Sequence, residues 1–250
     1  MSINEIAAKG FSSAADVYER GRPGYVAEAV SWVCERLGIG PGRTVLDLAA
    51  GTGKLTRDLV PSGATVIAVE PLDEMREHLE RVSPEVEALK GTAEAIPLQD
   101  ATVDAVVCAQ AFHWFDPDRA LPEIHRVLRP SGGIALLYNS RDMDDRVQKT
   151  VDDMLERHRD AVAQHWTREE DFALSAEGLF ADGEHRVWTS EQPVTLDGLL
   201  EMAASRSYIA SLDEATRAEL LERIRSEFAD EPEPILLRYD VDVHVADRIS

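Results

Sequence analysis

From Thr44 to Asn139 the chain alternates short apolar runs with amphipathic stretches, and this alternation restricts the fold more than any other feature of the sequence. The runs "TVLDLA" (44–49), "TVIAVE" (65–70), "VEALKGT" (86–92), "VDAVVCA" (103–109) and "GGIALLYN" (132–139) read as strands. Between them, "KLTRDLV", "LDEMREHLERV" and "RALPEIHRVL" have helical spacing. Strands that alternate with helices predict a parallel, doubly wound sheet. "VDAVVCA" is apolar nearly throughout, as a strand covered on both faces must be. After Asn139 the pattern changes. Residues 141–182 read as polar helices, "DRVQKTVDDMLERHRDAVAQHW" most clearly. A strand is expected at "HRVWTS" (185–190), then helices near 195–211 and 213–228. "EPEP" (231–234) punctuates the chain. "ILLRYDVDVHVADRI" closes it with the period-2 pattern of a strand.

The 250 residues, 44% of them hydrophobic, suffice for one large domain or a domain with a cap. The formal net charge of −21 is spread along the chain. It argues against nucleic-acid binding, which relies on clustered Lys and Arg. No run approaches the roughly 20 apolar residues of a membrane helix, and "MSINEIAAKGFSS" has no signal-peptide core. Cys34 and Cys108 lie in apolar surroundings, so both are expected to be buried, reduced thiols of a cytoplasmic protein. No zinc-type spacing is present: His158 and His165 share a helix face without a third ligand, so no metal is expected. A monomer and a homodimer are both compatible with the sequence.

The first strand runs into a glycine turn, "TVLDLAAGTGKLT" (44–56). Such turns hold nucleotides, and three patterns compete. A P-loop needs a glycine five residues before the Gly-Lys pair and Ser or Thr after it, but Leu48 and Leu55 stand there. A dinucleotide fingerprint needs a third glycine, and Thr56 stands there. The third pattern fits better: "VLDLAAGTG" resembles motif I of class I S-adenosylmethionine-dependent methyltransferases. "GTAEAIPLQD" (91–100), "VDAVVCAQAFHWFD" (103–116) and "RVLRPSGGIAL" (126–136) resemble later motifs of that family, in order.

The resemblance implies a Rossmann-like, doubly wound, seven-stranded sheet, mostly parallel with a late antiparallel strand, plus a helical lid. It divides the chain into an N-terminal helical segment covering the cofactor (1–37) and a cofactor-binding core (38–140). A helical insertion or lid (141–184) follows, then the completion of the sheet with further lid helices at 195–228 (185–250). The implied cofactor is S-adenosyl-L-methionine, with S-adenosyl-L-homocysteine as product. Gly51 and Gly53 let the backbone approach the ligand, with Ala49 beside them. Asp47 is placed to bind the methionyl ammonium, directly or through water. Glu70 ends the next strand and suits paired ribose hydroxyls, while Pro71, Leu72 and Met75 flank the adenine or open the following helix. In the third motif Thr92 replaces the family's Asp. Ala93 is expected to reach the adenine edge through its amide, and Glu94 is either a ligand contact or structural.

In an open parallel sheet the ligand sits beyond the carboxyl ends of the strands, which puts Gln110 to Phe115 at the reacting centre. His113 is a candidate base or pocket residue, and Trp114 and Phe115 are candidates to shield the sulfonium or stack on substrate. "FSSAADVYERGRPGY" (11–25) resembles a segment of the trans-aconitate methyltransferase-like branch, which esterifies small carboxylic acids. There Tyr18 and Arg22 are candidates for the cofactor carboxylate or the acceptor, and Phe11 for the pocket. In the lid Arg206 and Tyr208 are candidate lining residues, as are Trp166 and Phe172. The expected activity is methyl transfer to a small-molecule acceptor, first to oxygen of a carboxylate or hydroxyl, second to nitrogen or carbon. A catalytically silent cofactor-binding regulator remains the alternative class. Gly51→Val is expected to abolish cofactor binding and leave the fold.

Overall fold

The computed structural model describes residues 24–158 and 178–249. Seven strands form one sheet: β1 (Thr44–Leu48), β2 (Thr65–Val69), β3 (Glu87–Leu89), β4 (Val103–Ala109), β5 (Leu128–Arg141), β6 (Glu184–Val194) and β7 (Ile235–Asp247). Their order is β3-β2-β1-β4-β5-β7-β6. The pairs β1–β2, β1–β4, β2–β3 and β4–β5 are parallel, and the order reverses between β1 and β4. With antiparallel strands at its late end the sheet is mixed, as expected. Helices α1 (Ala27–Leu37), α2 (Lys54–Leu59), α3 (Asp73–Val82) and α4 (Pro117–Val127) accompany these strands.

By contact the chain separates into two compact units. One holds 24–139, 178–188 and 241–249 of the described residues. Its strands alternate between two buried faces. Leu46, Leu48, Ile67, Val69, Val106, Cys108, Ile134 and Leu136 share one core. Val45, Val66, Ala68, Ala105, Val107, Ala135 and Leu137 share the other, against Ala29, Val30 and Val33 of α1. Both sides of β1, β2 and β4 are therefore largely removed from water, which explains why the sequence shows continuous apolar runs there. Each fully buried Leu or Ile contributes roughly 2 kcal/mol.

The second unit holds 140–158 and 189–240 of the described residues. It contains α5 (Arg146–Leu155), α6 (Leu196–Ala204), α7 (Ser207–Ala210) and α8 (Glu214–Glu227), around a core that includes Val151, Leu155, Leu199, Ile224 and Leu237. Side-chain caps start the longer helices. Asp145 accepts from the Gln148 amide (2.9 Å), Thr195 from Gly198 (3.1 Å) and Asp213 from Thr216 (3.0 Å).

Several element bounds differ from the sequence reading. The helix expected over 195–211 is two, broken where the Ser205 hydroxyl bonds back to the Met202 carbonyl. "VEALKGT" keeps only Glu87–Leu89 as strand. β5 begins at Leu128, ahead of the strand expected at 132–139: Val103 pairs with Leu128 and Ala105 with Gly133, so 129–132 bulge opposite Asp104. Cys108 is buried and burial pushes its thiol up, whereas Cys34, expected to be buried, is only half so. Among the described residues no helix is long and apolar enough to cross a membrane.

Candidate functional site

The site is built at the carboxyl end of β1, where a strand must turn into a helix within five residues. Gly51 (φ +58°) and Gly53 (φ +83°) take left-handed backbone there. The two glycines serve different purposes. A Cβ on Gly53 would lie 2.9 Å from Leu79 Cγ, so this glycine permits α3 to pack. A Cβ on Gly51 would meet nothing within 4 Å: it would enter open space above the turn. Ala49 (φ 57°) and Gln110 (φ 59°) also adopt left-handed backbone, directly after β1 and β4. Strained non-glycine residues of this kind collect at functional sites. The third in the described residues, Ala101, lies in the loop before β4.

Asp47 is 1% exposed, beneath this turn. Its carboxylate accepts the Thr56 hydroxyl at 2.5 Å, and Thr56 itself is fully buried. Burial pushes the Asp47 carboxyl up to about 7, helped by the charges of Glu70 and Asp58 and opposed by the hydrogen bonds from Thr56. Among the described residues, the charges that act on it are both negative, those of Glu70 and Asp58. Glu70 follows β2. One of its oxygens accepts the Gly51 amide and the other the Leu72 amide, each at 2.9 Å. Burial raises this carboxyl as well, against those two amides. Glu70 thus spans the turn after β1 and the start of α3, and each oxygen keeps a further lone pair.

Pro71 and Leu72 are half-buried beside Glu70, with Leu72 at the N-cap of α3. Met75 is buried on the inner face of α3. Thr92 is exposed and bridges to Ala95, while Ala93 is buried. Glu94 accepts the Asp116 amide at 3.0 Å and so ties this loop to the start of α4. The Gln110 side chain donates to the Asn139 carbonyl at 3.3 Å, between the ends of β4 and β5. Phe112 is buried in the core, with Phe115 edge-on to it (5.5 Å between centroids). Trp114 and Phe115 pack against that core half-exposed. His113 lies 4.6 Å from Trp114 and 6.0 Å from Tyr138 of β5, centroid to centroid.

Arg206 and Tyr208 belong to the other unit. Arg206 is 3% exposed and donates to Asp152 (2.9 Å) and to the Tyr208 hydroxyl (3.0 Å), so it is part of that unit's polar interior. Phe11, Tyr18, Arg22, Trp166 and Phe172 lie outside the described residues. Sequence reasoning missed two residues. Thr56 counted only as a failed glycine, because its bond to Asp47 spans nine positions. Tyr138 read simply as a strand residue.

A family model described as a methyltransferase domain matches residues 46–136. An uncharacterized methyltransferase of Mycobacterium tuberculosis is 42% identical over 223 residues, spanning 89% of this chain and 86% of that protein. The chain belongs to this methyltransferase family. Among solved structures, a candidate type II methyltransferase from Anaeromyxobacter dehalogenans aligns over 91% of this chain and 97% of its own, at 24% identity and a TM-score of 0.69. Geranyl diphosphate C-methyltransferase from Streptomyces coelicolor, solved with S-adenosyl-L-homocysteine, aligns over 89% and 76%, at 15% identity and a TM-score of 0.51. These two likenesses concern the fold.

Proposed function

We propose that the protein is an S-adenosylmethionine-dependent methyltransferase that acts on a small molecule, with oxygen of a carboxylate or hydroxyl as acceptor. One observation carries the cofactor reading: a buried Asp47, with no cation among the described residues that act on it, lies beneath a glycine turn that opens onto free space. That combination calls for a ligand with a positive group and a backbone-like shape, and the cofactor's aminoacyl end has both. Gly51 leaves room for it, and Asp47 and Glu70 supply the negative field. The free lone pairs of Glu70 suit ribose hydroxyls.

When bound, the cofactor supplies an electrophilic methyl group on a sulfonium. The chain's own task is then alignment, from which a displacement of this type gains greatly. Trp114 and Phe115 offer half-exposed aromatic faces that favour a cation and exclude water. His113, beside Trp114 and Tyr138, would take the proton of a hydroxyl acceptor. A carboxylate acceptor would need no such proton transfer.

Calorimetric titration with S-adenosylmethionine and S-adenosylhomocysteine tests the cofactor. A screen of small acids, phenols and amines for methyl transfer tests the acceptor. Micromolar binding together with turnover on acids or phenols supports the proposal. Turnover on amines alone moves the acceptor to nitrogen. Binding without any turnover leaves a cofactor-binding regulator. With a phenol, His113→Gln should lower kcat by about 10²-fold or more, and with a carboxylic acid far less.

A further inference from the structure

Thr56 stands where a dinucleotide fingerprint has its last glycine, yet it does more than fill that place. It is fully buried, and its hydroxyl donates to Asp47 at 2.5 Å from the first turn of α2. Its backbone N–H adds a second hydrogen bond to the same carboxylate. The groups that face Asp47 from the neighbouring elements are Glu70 at the end of β2, Asp58 on α2 and the Cys108 thiol on β4. All of these are acidic or neutral. Among the described residues, only Thr56 favours the ionised form of Asp47.

From this arrangement we propose that Thr56 is a positioning residue for the cofactor: it aims the Asp47 carboxylate beneath the Gly51–Gly53 turn and favours its ionised form, ready for the cofactor's ammonium. The inference rests on the cofactor reading above. Its chemistry is a linked proton. Near neutral pH the empty site shares a proton on Asp47, since burial carries that carboxyl up to about 7. A cationic ligand over the turn favours the ionised form, so the proton leaves for solvent as the ligand binds. The Thr56 hydroxyl, by donating to the carboxylate, lowers the cost of that loss. Without it, the ligand must do more work against the proton.

Affinity for S-adenosylhomocysteine, measured by calorimetry from pH 6 to 9 on wild type, Thr56→Val and Thr56→Ser, tests the proposal. Valine keeps the shape of the buried side chain and removes the donor; serine keeps the donor. At pH 7 Thr56→Val should bind roughly tenfold more weakly than wild type, the worth of one hydrogen bond to a charged group. That ratio should shrink towards pH 9, where Asp47 is ionised in both proteins, and Thr56→Ser should stay near wild type. The ligand's own amine titrates identically in all three and cancels from the ratio. Equal affinity in Thr56→Val, or a loss that is constant with pH, overturns the positioning role while leaving the cofactor reading intact. Absence of binding to folded wild type overturns the cofactor reading and this inference with it. A measurement on the wild type alone guards against misfolding of the variants. Carbon-detected NMR titration of the Asp47 carboxyl should show its midpoint fall when S-adenosylhomocysteine is added, and an unmoved midpoint also overturns the proposal.

Discussion

Asp47 and Asp104 sit on neighbouring parallel strands, are 1% and 7% exposed, and have opposite electrostatics. Asp104 lies at the amino end of β4. Burial pushes its carboxyl up, but the Thr44 amide, Arg43 and Arg129 outweigh this and leave it below the usual carboxylate range. The β5 bulge brings Arg129 there. Asp47 lies at the carboxyl end of β1 and, among the described residues, has a hydroxyl and an amide but no cation. One end of the sheet has spent its charge on stability, and the other holds charge in reserve. A reserve of this kind destabilises the empty protein and becomes useful when a cationic ligand arrives. It sets the carboxyl end of β1 apart on electrostatic grounds, independently of the glycine motif.

The contrast breaks first at Asp47. The folded acid keeps its proton to about pH 7, against 3.8 for an ordinary aspartate. The folded state therefore binds more protons across that window, and stability falls as pH rises through it. At about 1.4 kcal/mol per pKa unit the full penalty is roughly 4 kcal/mol, present above pH 7 and absent below about pH 4. Asp47→Asn should thus stabilise the ligand-free protein by up to this amount at pH 8, with the gain vanishing towards pH 4. Denaturant unfolding at the two pH values measures it. The same variant should bind S-adenosylhomocysteine more weakly, so stability and binding move in opposite directions.

Gly51→Val is the next largest test. The new side chain enters the open space above the turn, and binding should weaken at least about 100-fold, roughly 3 kcal/mol by titration. A branched residue at φ +58° also costs of order 1–3 kcal/mol of stability. A variant that still folds and binds normally would remove the ligand from this turn.

Asp104→Asn should show the opposite profile at a smaller size. Its arginines are about half exposed, so the loss should be only about 1–2 kcal/mol at pH 7. This contribution is present above the ordinary aspartate value and is lost as pH falls through the lower folded one, so wild type and variant should converge in acid. Cofactor affinity should be unchanged. Weakened binding in Asp104→Asn would dissolve the division between the two ends of the sheet. The smallest effect expected is kinetic: Cys34, half-buried, should react with a thiol reagent well before Cys108, whose thiol is buried and pushed up.

The sequence alone determined the strand–helix alternation, the turn at Gly51 and Gly53, and the acids that end β1 and β2. Each rests on short-range physics: side-chain period, the left-handed freedom of glycine, and the place of a residue at the end of an apolar run. Only tertiary structure decided the rest. The bond from Thr56 to Asp47 spans nine positions and needs α2 folded against the end of β1, and that from Glu70 to Gly51 spans nineteen and needs β1 and β2 paired in register. Asp104 meets Arg43 and Arg129 because β1 and a bulged β5 flank β4. The helix break before Arg206, and its burial against Asp152, were equally invisible. Periodicity tells a side chain which face it lies on. Whether a charge on that face meets a counter-ion, a hydroxyl or nothing is settled when the strands pair, and that meeting separates a structural aspartate from a functional one.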